Sequence, residues 1–429
     1  MTVHYAPGYA AQRSAERNML AVLAYIAFLL LIFVGLEPFS PPAAVSRFGG
    51  PSRGDAMRQV SFLAVAGLVF FSAYQARGIA LLRAIPVSMA LLLGWCLLSA
   101  VWSADPGVVM RRAILQIMIV CSALLSVETV GPKRAFEIWR ALLGIVLIVN
   151  LLSIPLIDTA RHGAGEIDTA LIGNWRGLYG HKNIAGAVSA FTVILFLFTK
   201  TGAKNWFGIL MAIAAGFFLV MTHSKSSLGF LFPALLAGWL YHLSWRDGLS
   251  RAILITGTVL FLCALGAWAV LDAETIARQF QNPEEFTGRS AIWAAEIAYI
   301  RDHPFLGSGF GTFADTGGHS PLASYINSRW MQAVSHGHNG YLQLLVTIGG
   351  IGFVLVMAAL VVRPLQRFWA LDGGNNSFKP MLFALFVFIV LHNVMESDFL
   401  EGGSAWVGLL LVIAALNGLA RQTLPKPGG

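Results

Sequence analysis

The feature that most constrains this chain is the recurrence of apolar runs about as long as a bilayer is thick. About 20 apolar residues span the roughly 30 Å hydrocarbon core as a helix, and in lipid only helices or closed barrels satisfy every backbone polar group. The alternation of barrel strands is absent, so the runs predict an all-α, polytopic integral membrane protein. Composition agrees, because the 429 residues are 57% hydrophobic and 12% charged, with a mean hydropathy of +0.70, whereas soluble domains carry about 25% charged residues. Windows of about 19 residues predict about twelve spans, near 19–37, 60–76, 84–102, 110–127, 136–157, 183–199, 206–221, 226–243, 251–271, 341–362, 380–397 and 402–420. The first run follows Arg13 and Arg17 and is too long for a signal peptide, so it is read as a retained span. The chain reads as a single transmembrane domain over 1–429, without a repeat or a soluble extra domain. Cys96, Cys121 and Cys263 lie inside apolar runs, with neither disulfide nor zinc spacing.

Lys and Arg accumulate in the short cytoplasmic connections of membrane proteins. With the amino terminus inside, the inner connections collect pairs and triplets such as Arg77/Arg83, Lys133/Arg134/Arg140 and Arg363/Arg367/Lys379, sixteen of the 29 basic residues in all. Both termini are then cytoplasmic, and 272–340 forms one large periplasmic loop between spans nine and ten.

The stretch from Thr287 to Leu345 is the only long polar interval between spans and the densest in useful side chains. It runs from Thr287-Gly288-Arg289-Ser290 through the helical pattern Ile292, Trp293, Glu296, Ile297, Ile300 to Asp302-His303-Pro304. A glycine-rich turn (Gly307 to Gly311) and a helix-like piece (Tyr325 to Met331) follow, and the stretch ends at His336-Gly337-His338-Asn339-Gly340-Tyr341. The spans beginning at Asn183, Ser226 and Tyr341 all run inward, so their amino termini, with unpaired N–H groups and positive dipole ends, face the same outer side. His181, Lys182, Asn183, Lys225, His336 and Asn339 stand at those ends and are read as substrate-contacting. Thr287 as N-cap puts Arg289 in a first helical turn, where a cation is unfavourable by about 0.3–1 kcal/mol and a bound anion would offset the cost. Together Arg176, Lys182, Lys225 and Arg289 suit a diphosphate. Singly, each is better explained as a loop cation or a partner of Glu166, Asp168 or Glu284.

His336 and His338 lack a third ligand at metal spacing, so no metal is expected. They stay open between a capping or surface role, a general base for a hydroxyl, and a proton donor to a leaving phosphate. His392-Asn393 and Glu396-Ser397-Asp398 lie near membrane depth, where ionisable residues are costly and usually line a cavity. Glu396 and Asp398 there can orient a sugar hydroxyl or a catalytic histidine, or simply sit in the interface.

At these residues the chain resembles the O-antigen ligase and polysaccharide polymerase family. The likeness covers about Asn174 to Leu416. It rests on Arg176 with Gly180-His181-Lys182-Asn183, on Ser224-Lys225-Ser226, on Gly288-Arg289 to Trp293, on Pro304 to Gly311, and on His338-Asn339-Gly340-Tyr341. The resemblance implies a glycosyltransferase of the large membrane (GT-C) type, inverting and without metal or cofactor, in a bacterial inner membrane with its active site facing the periplasm. It implies that Arg176 and Arg289 bind the diphosphate of an undecaprenyl-diphosphate-linked glycan donor and that His338 is the catalytic histidine. It implies a glycan or lipid acceptor, membrane lipids and other polysaccharide-assembly proteins as partners, and no nucleic acid. Lys225 departs from the Arg that relatives often place there, and it would act as a point charge without the bidentate fork. Glu396-Ser397 and the Gly-His-Lys-Asn motif resemble exopolysaccharide polymerases more than ligases of the lipid A core. A transporter of lipid-linked sugars is the rival class, but it would show polar, broken helices in matching positions of two halves.

Overall fold

The computed structural model describes residues 7–40, 53–164, 166, 169–198, 205–244, 289–314, 320–325, 337–371 and 378–423. The first half is a series of apolar helices: α1 (Pro7–Phe33), α2 (Arg53–Arg77), α3 (Val87–Leu98), α4 (Pro106–Val130), α5 (Pro132–Leu156), α6 (Lys182–Phe198), α7 (Trp206–Met221) and α8 (Lys225–Ser244). After the polar α9 (Arg289–Asp302) come α10 (Gly340–Val356), α11 (Arg363–Ala370), α12 (Phe378–His392) and α13 (Ser404–Thr423). Eleven of the twelve expected spans fall on these helices. Six are long and apolar enough to cross a membrane and five are shorter apolar helices. The twelfth, 251–271, lies outside the described residues.

Local chemistry explains where the helices start. Asp105 caps α4 by accepting from Val108 N at 3.0 Å, with Pro106 at the first helical position. The expected span 380–397 stops earlier, at His392, because the Asn393 side chain turns the chain back by accepting from Asp398 N at 2.9 Å and Phe399 N at 3.0 Å. That reversal brings Glu396 and Asp398 to the end of the bundle rather than into a helix.

α13 is buried on every side from Ala405 to Leu416, as expected of a helix apolar all round. It is the axis against which α4, α5, α6 and α12 pack. Gly238 lets α8 approach α12, since a Cβ there would lie 2.8 Å from Ala384 Cβ and 2.9 Å from Pro380 O. The free thiols of Cys96 and Cys121 lie among these helices, and Cys263 lies outside the described residues.

One helix is broken. Gly349 adopts φ 67°, ψ −176° inside α10, and carbonyls freed by such a break must be paired at membrane depth. Ser308 N donates to Val346 O (2.9 Å), Gly309 N to Thr347 O (2.8 Å) and Trp95 Nε1 to Ile348 O (3.0 Å), while Gly350 N donates to Pro304 O (2.9 Å). The glycine-rich turn is thus bonded to the break. Beyond it the helix continues through a π-helical turn, Met357–Val362, into α11.

Of the 272–340 stretch, residues 289–314, 320–325 and 337–340 are described; Thr287, His336 and most of the piece expected at Tyr325 to Met331 are not. A second apolar core of Ile292, Ala295, Tyr299, Phe313, Leu322 and Val346 seats α9 on the first half of α10.

Candidate active site

Three helix amino termini converge on one carboxylate. Glu396 Oε1 accepts from Asn183 Nδ2 in the first turn of α6 at 2.7 Å and from Ser226 Oγ in the first turn of α8 at 3.2 Å. Its Oε2 lies 3.2 Å from His338 Nδ1, immediately ahead of α10. The start of α10 is fixed to the same turn, with Gly340 N donating to Asn393 O and Glu396 O at 2.9 and 3.0 Å. A Cβ at Gly340 would collide with the Asn393 side chain. His338 itself holds φ 52°, a left-handed conformation that costs a non-glycine residue about 1 kcal/mol or more and concentrates at functional sites. Its side chain is 26% exposed, so the structure joins Asn183, His338 and Glu396, all read from sequence, in an accessible cluster. Ser226 is an addition.

The other sequence candidates take different places. Asn339 is spent as the N-cap of α10, its Oδ1 accepting from Tyr341 N (3.0 Å) and Leu342 N (3.1 Å). Lys225 opens α8 and is exposed. Lys182 donates from Nζ to His223 O at 3.4 Å. His181 Nδ1 accepts from Asn183 N at 3.2 Å, and burial, reinforced by His162, pushes its pKa down to about 4, so the ring is neutral. Arg289 is the first residue of α9.

Arg176 is buried within the chain's own carbonyls. Its Nη1 faces Tyr179 O (3.4 Å) and Gly180 O (3.2 Å), and its Nη2 donates to Ser40 O (2.9 Å). Its Nε is buried without a partner, and burial lowers its pKa. The side chain ties the turn ahead of α6 to the segment after α1. His162 braces the same turn, accepting at Nε2 from Lys182 N (3.2 Å) while Nδ1 meets Glu166 Oε1 at 2.5 Å. No local spacing in the sequence joins His162 to Lys182, twenty residues on.

Two further groups flank the cluster. Asp398 Oδ2 lies 2.7 Å from His392 Nδ1, His392 Nε2 lies 3.0 Å from Ser227 Oγ, and Ser224 Oγ bonds Ser227 Oγ at 3.0 Å. This chain is sealed between α6, α8 and α12. On α9, Glu296 is fully buried with neither carboxyl oxygen partnered, and burial pushes its pKa up to about 8. It packs on Gly337, where a Cβ would sit 2.1 Å from Oε1, while Trp293 Nε1 donates to Gly337 O at 2.6 Å. Glu296 therefore stands, uncharged at neutral pH, behind the residue next to His338. Sequence reading placed it in a helical pattern and gave it no role.

Together, fold and site define a multi-pass membrane protein with a polar, histidine-bearing cluster at one end. Residues 209–357 match the family model described as O-Antigen ligase. The match runs from α7 past the break in α10, taking in Ser226, α9 and His338 but not Asn183 or Glu396. The chain is 24% identical over 315 residues to the exopolysaccharide production protein ExoQ of Rhizobium meliloti (strain 1021), covering 70% of this chain and 69% of the relative. Over 164 residues it is 26% identical to a Rickettsia conorii protein provisionally named a polysaccharide ligase, covering 37% of this chain and 38% of the relative.

Proposed function

We propose that this chain is a bacterial inner-membrane glycosyltransferase that polymerises glycan from undecaprenyl-diphosphate-linked donors at the periplasmic face. The observation that carries the reading is the convergence of three helix amino termini on the His338–Glu396 pair. It sets positive dipole ends and a cation-rich border around an imidazole held by a carboxylate. With Nδ1–H donating to Glu396, the basic atom of His338 is Nε2, which takes the proton of an acceptor hydroxyl. The hydroxyl oxygen bonds to the anomeric carbon as the bond from that carbon to the diphosphate oxygen breaks, inverting the centre without a metal. Arg289, Lys182 and Lys225 offset the charge gained by the departing diphosphate. Arg176 serves the same site by holding the turn that presents Lys182, and meets phosphate only if that turn opens. In this reading both termini are cytoplasmic and 272–340 is the periplasmic loop.

Transfer of finished glycan to lipid A core is the second reading, favoured by the ligase description of the family and of the second relative. Purified full-length protein incubated with lipid-linked oligosaccharide separates the two. Polymerisation yields longer glycan still on its carrier, and ligation moves glycan to a different lipid. A donor left unconsumed in the presence of both acceptors would refute both.

A further inference from the structure

At the end of the bundle opposite His338, a cavity lies between α3, the π-helical turn with α11, and α13. Its apolar floor includes Met89 and Leu416, and its polar lining is Ser88, Arg363, Arg367 and Asn417. Those four supply donors, and among the described residues no carboxylate lines the cavity. Arg363 and Arg367 are exposed, one helical turn apart, and neither has an ion-pair partner among the described residues. The Nδ2 of Asn417 is buried without a hydrogen-bond partner, a state that costs roughly 1–3 kcal/mol unless a ligand satisfies it. The contrast lies close by on the same end, where Arg77 and Arg421 are both paired with Glu128 at 3.1 and 2.5 Å.

The depth of the cavity is set by the helix that carries it. From Gly340 to Arg363 the chain advances 23 residues through helix broken once at Gly349 and wound as a π-turn over Met357–Val362, at most about 35 Å at 1.5 Å per residue. That is comparable with the roughly 30 Å hydrocarbon core, so with Gly340 at one interface the cavity lies towards the headgroup level of the other. Trp369, 57% exposed on α11, has the amphipathic ring found at that level.

We propose that this cavity is a binding site for the phosphodiester anion of an acidic phospholipid headgroup. Arg363 and Arg367 grip the phosphate oxygens, Asn417 Nδ2 and Ser88 Oγ donate to the headgroup, and the acyl chains descend beside α3 and α11. The site is separate from the glycan chemistry and does not depend on that reading.

The test is native mass spectrometry and thermal unfolding of the delipidated, detergent-purified full chain. Phosphatidylglycerol, phosphatidylcholine and inorganic phosphate are titrated separately. Phosphatidylglycerol should bind at least tenfold more tightly than phosphatidylcholine and raise Tm, and both effects should vanish in the Arg363→Gln/Arg367→Gln double variant. Asn417→Leu should weaken binding with both arginines in place. A Lys133→Gln/Arg134→Gln control removes the same charge from two exposed cations elsewhere and should bind normally. Equal binding of the two lipids, unchanged binding in the double variant, or equal loss in the control would overturn the proposal. So would binding of inorganic phosphate as tight as that of the lipid, which would assign the anion to solution.

Discussion

Glu396 and Asp398 stand two residues apart, each holds the Nδ1 of a histidine, and the two pairs differ in what surrounds them. Asp398 holds His392 at 2.7 Å with the imidazole 2% exposed and its Nε2 committed to Ser227. Glu396 holds His338 at 3.2 Å with the imidazole 26% exposed at three helix ends. The buried pair ties α8 to α12 and to the turn that follows it, with the imidazole closed to solvent. The exposed pair has the same acid–base chemistry with access. In the proposed reading, exposure rather than residue type separates a structural dyad from a reactive one.

Mutations can break that comparison, and the largest effect is expected at His338. His338→Ala should lower turnover by about 10² to 10⁴, the range for a general acid–base group, in protein that stays monodisperse. His336→Ala should retain much of the activity, and chelators should leave the wild type unchanged. Comparable losses at both histidines, or inhibition by chelator, would remove the distinction. Glu396→Gln comes next. It keeps acceptors for Asn183 and Ser226 but withdraws the charge that supports a protonated His338, so kcat should fall by roughly tenfold or more, about 1.4 kcal/mol, with little change in Tm.

The sealed pair should behave the other way. Asp398→Asn or His392→Ala leaves buried polar groups unpaired at a cost of about 1–3 kcal/mol, read as a lower Tm, while turnover per folded molecule stays near normal. If either variant proved inactive yet fully stable, the division between the pairs would fail.

The smallest effect is a pH dependence at Glu296. Its pKa is raised from 4.5 to about 8 by burial, so the folded chain holds that proton more tightly than the unfolded chain. Its contribution to stability is complete below about pH 4.5 and is lost as pH rises through 8. Glu296→Gln should therefore melt close to wild type at pH 5 and above it at pH 9. A constant Tm difference across that range would show that Glu296 is not held neutral.

Much of this was legible in the sequence, because the bilayer imposes a length that apolar runs reveal directly. The polar stretches ahead of α6, α8 and α10 pointed to helix ends on one face, and Glu396 with Asp398 stood out as acids at membrane depth. What the sequence did not carry was long-range pairing. Nothing local tells Arg176 that its Nη2 partner is Ser40, or that Asn339 is consumed as a cap while His338 beside it is exposed. Ser226 and Ser227 are neighbours of one type, yet helical rotation sends one to Glu396 and the other to His392. The break at Gly349 was not read from the sequence, and its partner in the glycine-rich turn lies about forty residues upstream.

That break has a mechanical consequence. Because Pro304 to Gly309 is bonded to α10 on both sides of Gly349, and Trp293 is bonded to Gly337, α9 is riveted to α10 at two points on either side of His338. The helix headed by Arg289 and the histidine therefore travel as one lever. Their mutual spacing is therefore fixed, and the pair can part from the turn that carries Glu396 only by breaking the bonds from Gly340 N to Asn393 O and Glu396 O.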